Sequence, residues 1–273
     1  MENIIEKMNK DIKEGLKVLD SKSARYLVDT YYQIQEYRKA TYNQVRKLTK
    51  EEELEPDSTL EYFARNFELL EKEIKKALKI YVQQQPIGQW LMSISGIGEV
   101  ISAGLIANID ISKCETAGAI WRFAGLDPTM EWKKGELRPF NARLKNLCWK
   151  IGESFVKVSN NDKDFYGKLY KERKEYEIIK NETGEYSEQA KTKLEKFNIG
   201  KSTDAYKYYS EGKLPPAHIQ SRAKRYAVKI FLSHLFDVWY KLDRGQEPPK
   251  PYALAILNHA HEIEIPNLDV VGL

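Results

Sequence analysis

With 273 residues, 42% of them hydrophobic, the chain is long enough for one large domain or two modest ones around a real core. Its 44 basic and 40 acidic residues leave a net charge of only +4, so bulk charge does not mark a nucleic-acid binder, and any basic surface has to come from clustering. Cys114 and Cys148 make neither a metal-spaced set nor a disulfide framework, the charged N-terminus lacks a signal-type apolar stretch, and no run of 18 apolar residues occurs; together these argue against a membrane span and fit a reducing cytoplasm.

The first 86 residues read as helices. Ile4, Ile5, Met8, Ile12, Leu16 and Leu19 recur at helical spacing, and Leu27, Tyr31, Ile34 and Arg38 continue the pattern. "EEELEPDS" breaks it, with Asp57 or Ser58 suited to cap the next helix and Ser58 and Glu61 at capping-box spacing. That helix carries Leu60, Phe63, Phe67, Leu70, Ile74, Ala77 and Tyr81, an alternation of three and four that makes a coiled-coil seam. The seam suits either an antiparallel hairpin folded on itself or an arm that forms a homodimer, and the residues leave both open.

Pro86 opens a short helix, "PIGQWLMSI", and a glycine turn, "SGIG", leads into a helix from about Glu99 to Ile109. Another helix holds "CETAGAIWRFAG", with Gly125 as its C-terminal cap. The polar loop or small hairpin "MEWKKGELRP" separates it from a helix in "FNARLKNLCWKIGESFVKVS". Residues 160–212 are charged and tyrosine-rich, with breaks at "KNETGEY" and "NIGKSTD", and read as a long protruding helix or hairpin. A strong helix follows Pro216, and a proline-containing tail with Pro248, Pro249 and Pro251 wraps the body irregularly. The fold class expected is all-α, in four parts: a helical hairpin or coiled coil (1–86), a helix-hairpin-helix core (87–159), a charged helical insertion (160–215), and a closing helix with its tail (216–273).

The candidate chemistry centres on the turn. Gly96 and Gly98 permit positive φ and remove Cβ atoms that would hold a ligand away, Ile97 plugs the gap between helices, and Ser102, Ala103 and Gly104 allow close packing. Free N–H groups at the start of the second helix, near Val100, make an anion site that a phosphodiester fits without any base contact. A glycine turn between packed core helices explains the same letters, and Glu99 repels phosphate. Nearby, Lys133, Lys134, Arg138, Arg143, Lys145 and Lys150, set against Glu131 and Glu136, interleave with Trp132 and Trp149, a pattern suited either to nucleic acid or to a solvated helix face with buried tryptophans; Trp149 reads as core. Further on, His218, Arg222, Arg225 and Lys229 share one helix face, opposite a core face of Ala223, Tyr226, Ala227, Ile230 and His234. That stripe suits either a phosphate backbone or acids in the 160–212 segment. His259 and His261 are a possible metal pair but lack a third ligand nearby, Asp127 shapes a turn, and Asp110 with Glu115 suits either a carboxylate pair or helix-end polarity; neither a metal nor another cofactor is expected.

The order "SISGIGEVISAGLIANI", "WRFAGLDP", a basic loop and "ARLKNLCWKIGESF" resembles the C-terminal domain of the Piv-invertase-like insertion-sequence transposases, the bridge-RNA-guided recombinases. The resemblance covers roughly Pro86 to Ser159, with a weaker echo at 217–240. It implies an N-terminal RuvC-like domain with four metal-binding acids and a nucleophilic serine after the "AGLDP" turn. This chain departs from both. Its first 86 residues are helical and too short for that domain, and no serine occurs between Lys113 and Glu153, so only Thr129 offers a hydroxyl in the loop. The resemblance therefore implies a non-catalytic, mobile-element-related protein that binds DNA through its backbone, at junctions or distorted sites. The alternatives are a diverged recombinase or nuclease subunit completed by a partner, and a phage- or element-encoded protein-interaction module. Protein and RNA partners stay open.

Overall fold

The computed structural model describes residues 6–50, 58–133, 135–249 and 263–273, and all regular structure among them is helical. The positions Ile4, Ile5, Asp57, Lys134, Pro251, His259 and His261 lie outside the described residues. No helix among those described is long and apolar enough to cross a membrane. The chain divides into two compact units: Met1–Ser93 with Gly98–Lys113 and Asp269–Leu273, and Ile94–Ile97 with Cys114–Leu268.

The first unit is built on an antiparallel pair, α2 (Ser21–Lys50) and α3 (Ser58–Gln83). Tyr37 stacks on Phe67 at 5.7 Å, and Tyr31, Gln35 and Arg38 of α2 all bond the Glu71 carboxylate of α3. The hairpin thus closes on itself. Ile74, Ala77 and Tyr81 of the predicted seam are buried, whereas Phe63 stays half exposed. The helix expected before it is shorter than the spacing suggests. Among the described residues only α1 (Lys10–Lys17), capped by the Asn9 side chain, forms there, and Ile12 is 51% exposed while Leu16 is buried. The short α4 (Gly88–Ser93) starts two residues after Pro86. It leads to α5 (Glu99–Asn108), which is apolar all round and packs on both α2 and α3. Ser102, Ala103 and Gly104 are all buried there, as their small size allows.

The second unit gathers α6 (Ala117–Phe123), α7 (Ala142–Val158), α8 (Tyr166–Glu182) and α11 (Pro216–Arg244). Thr116 caps the start of α6. Gly125, at φ 67°, closes its end with its own N–H on the Arg122 carbonyl and that of Leu126 on Trp121. Phe155 of α7 stacks on Tyr166 at 5.0 Å, and both meet Phe231 of α11 edge-on. Residues 160–212 hold three helices rather than one helix or hairpin, with α9 (Ser187–Lys196) and α10 (Asp204–Ser210) following the two sequence breaks. Nor does this segment stand away from the body, since α8 packs along α11 and against α7. Glu177 of α8, 1% exposed, accepts bonds from Arg173, Tyr186 and Arg222. Asn181 and Leu214 exchange two hydrogen bonds just before α11 begins. On α11, Ala223, Ala227 and His234 are buried as expected, while Tyr226 and Ile230 are only partly covered. His234 is sealed between the Tyr166 hydroxyl (2.9 Å) and the carbonyl of Ile263 in the tail (3.1 Å).

Candidate nucleic-acid interface

The glycine turn has one glycine that its conformation requires. Gly96 has φ 86° and its carbonyl accepts from Ser154 Oγ at 2.6 Å; a Cβ at this position would lie 3.1 Å from that oxygen. Gly98, which would permit positive φ as well, has φ −93° and ψ −179°, extended backbone that any residue adopts. It serves as the N-cap of α5 without a side-chain bond, and a Cβ there would meet open space. Ile97 and Val100 are buried, so their side chains belong to the core, while Gly98 between them is exposed and Glu99 partly so. Glu99, in the first turn, sits 3.5 Å from Lys75 Nζ. Part of its charge is answered by that ammonium, which reduces the repulsion expected toward phosphate.

The basic loop and α7 differ from expectation in the tryptophans. Trp149, read as core, is 60% exposed, and Trp132 is 41% exposed. The cause is helical geometry: Leu144, Leu147, Cys148, Ile151 and Phe155 form the buried arc of α7, and Trp149 falls outside it on the side of Lys145. Asn141 caps the helix by accepting from the N–H groups of Arg143 and Leu144. Lys133, Arg138, Arg143 and Lys145 are exposed. The Arg138 guanidinium lies over Trp132 at 5.8 Å, and Lys145 Nζ over Phe140 at 4.1 Å. Two depressions adjoin here and share Lys145 and Trp149. One runs between α7 and α11 over Cys148, Gly152 and Val228, with Lys224 and Arg225 on its far side. The other is lined by Trp132, Arg138, Phe140 and Asn146. Gly152 lets α11 approach closely, since a Cβ there would lie 3.3 Å from the Cβ of Lys224.

The α11 stripe splits into three fates. Arg222 is bound to buried Glu177, so here the stripe does pair with an acid of the 160–212 segment. Lys229 is half covered, its Nζ 4.0 Å over the Trp121 ring, and burial lowers its pKa. Arg225 is exposed and, like Lys145, has no carboxylate partner among the described residues. His218, on the same face, is pushed down to about 4 by burial and by Lys193, Arg222 and Arg225, so it is neutral at pH 7.

Thr129 is turned toward its own neighbour. Both its N–H and its hydroxyl donate to Asp127 Oδ1, at 2.9 and 2.7 Å. Those bonds hold the Asp127 carboxyl below its ordinary value, which makes it a weaker base. Asp110 is engaged by Lys113 and Ser112, as helix-end polarity anticipates. Among the described residues, no group of three His, Cys, Asp or Glu side chains is arranged to hold a metal ion.

What this geometry defines is a helical scaffold that presents cations and indoles. Residues 88–166, from α4 to the start of α8, match the model of the Transposase IS116/IS110/IS902 family. The chain therefore carries a transposase-related domain. No curated protein and no solved structure matches it.

Proposed function

We propose that this chain is a DNA-binding relative of transposases that holds the phosphate backbone and does not itself cleave it. The observation that carries the reading is that Lys133, Arg138, Arg143 and Lys145 of the transposase-like segment are all exposed, and that Arg225 of α11, with no carboxylate partner among the described residues, lines the same depression as Lys145. Such a face supplies affinity without reading sequence. The turn at Gly96 and Gly98 is a second contact, made by backbone alone. Absence of cleavage is supported by the sequence, which has no serine between Lys113 and Glu153, where the family it resembles keeps its nucleophile. Self-association through α2 and α3 belongs to the same reading, since Tyr37 and Phe63 are left half exposed along the hairpin.

Titrating labelled duplex DNA at two salt concentrations tests this. Affinity is expected to fall steeply with salt, by a slope of about 0.9 per neutralised phosphate. The double substitution Lys145→Glu and Arg225→Glu should weaken binding about tenfold or more and flatten the slope by roughly 2. Gly98→Glu places a carboxylate in open space at the start of α5, so the protein keeps its fold and loses whatever affinity the turn supplies. Failure to bind DNA at low salt, or metal-dependent nicking that Thr129→Ala abolishes, overturns the proposal.

A further inference from the structure

We infer that the face shared by α7 and α11 accepts a single DNA strand, with an unpaired base stacked on Trp149. The inference rests on the DNA-binding reading and narrows it to the state of the DNA. An indole 60% exposed on a helix that has a full apolar arc elsewhere contributes little to folding. It stands where two depressions meet, and Trp132, its ring overlaid by Arg138, lines the second of them. Cations flank these depressions: Lys145 one turn before Trp149, Arg225 across on α11, and Arg138 over Trp132. No carboxylate lines either depression. Lys224 of the first depression is answered by Glu153, but Lys145, Arg225 and Arg138 have no carboxylate partner among the described residues, and cations beside exposed indoles suit phosphates alternating with flat rings. The strand must be single because a duplex buries the faces of its bases in its own stack and offers only edges and phosphates to the outside. Lys145 and Arg225 take the phosphates on either side of the base that Trp149 holds.

The test compares a labelled oligothymidine strand, an oligouridine strand of equal length and a duplex, using the full chain and its Trp149→Ala and Trp149→Phe variants. Because Trp149 is outside the core, both variants fold, which circular dichroism verifies. Trp149→Ala is expected to weaken oligothymidine binding about tenfold and leave duplex binding unchanged, the loss of one stacked base. Trp149→Phe should recover most of the loss. Unchanged oligothymidine binding in Trp149→Ala, or an equal loss on strand and duplex, overturns the stacking site while the DNA-binding reading stands. Tighter binding of oligouridine than of oligothymidine overturns the assignment to DNA. A wild-type chain that binds neither strand nor duplex overturns both readings together.

Discussion

Replacing Glu177 with alanine is expected to destabilise the second unit by about 3–5 kcal/mol, the cost of removing one partner from a buried ion pair. Glu177 is 1% exposed, and its two oxygens serve Arg173, Arg222 and the Tyr186 hydroxyl at once. Burial alone pushes its carboxyl up, yet the hydrogen bonds from Tyr186, Arg222 and Arg173 outweigh that and hold it below the usual glutamate value. Without it, two half-buried guanidinium groups lose their counter-charge, and the tie between α8, α11 and Tyr186 is lost. Glu177→Gln keeps an acceptor but not the charge and should fall between the two. Urea unfolding followed by circular dichroism gives the measurement. A midpoint for Glu177→Ala close to that of the wild type would mean that the pairs Glu177 makes with Arg173 and Arg222 contribute little to the stability of this unit.

Acid is expected to weaken the fold through His234. A backbone carbonyl can only accept, so the bond to Ile263 fixes the proton on Nε2, and Nδ1 accepts from Tyr166. The ring is fully satisfied when neutral, and burial pushes its pKa from 6.5 down to about 4. Between those two values the unfolded chain carries a proton that the folded chain refuses, so stability rises with pH across that window. The contribution is complete above pH 6.5 and is lost as pH falls toward 4, to a total of about 3 kcal/mol at 1.36 kcal/mol per pKa unit. Burial raises Asp164, whose side chain is close by in sequence to Tyr166, and this acts in the opposite direction as the pH drops. Unfolding free energies measured from pH 7 to pH 4.5 should therefore slope steeply in the wild type and less in His234→Gln. An identical slope in both proteins would remove His234 as the cause.

How much of this was legible in the sequence depended on whether a signal was local. The last long helix announced its start, with Pro216 in its first turn, while its end at left-handed Gly245 emerged only from the structure. Helix α5 was legible because its residues are apolar on every side. Gly98 misled because glycine suggests positive φ, while its extended backbone only spares the helix start a side chain. Trp149 misled for a related reason: the residue type suggests core, but the spacing of Leu144, Leu147, Cys148, Ile151 and Phe155 leaves it outside, and that period was available to be read. Glu177 lay hidden in a charged stretch. Its face was marked by Tyr166, Tyr170 and Asn181 at helical spacing, but its partner Arg222 lies 45 residues away and no local pattern could supply it.

The outward turn of Trp149 has an optical consequence. Of the five tryptophans, Trp90 and Trp239 are buried, while Trp132 and Trp149 face solvent. Trp90 is the one that falls in the first compact unit. An aqueous quencher such as iodide will therefore extinguish the red-shifted part of the emission and spare the blue-shifted part. What survives includes Trp90, a reporter of the first unit, while the quenched fraction reports on the α7 face, so one cuvette can follow the two regions without a label on the protein.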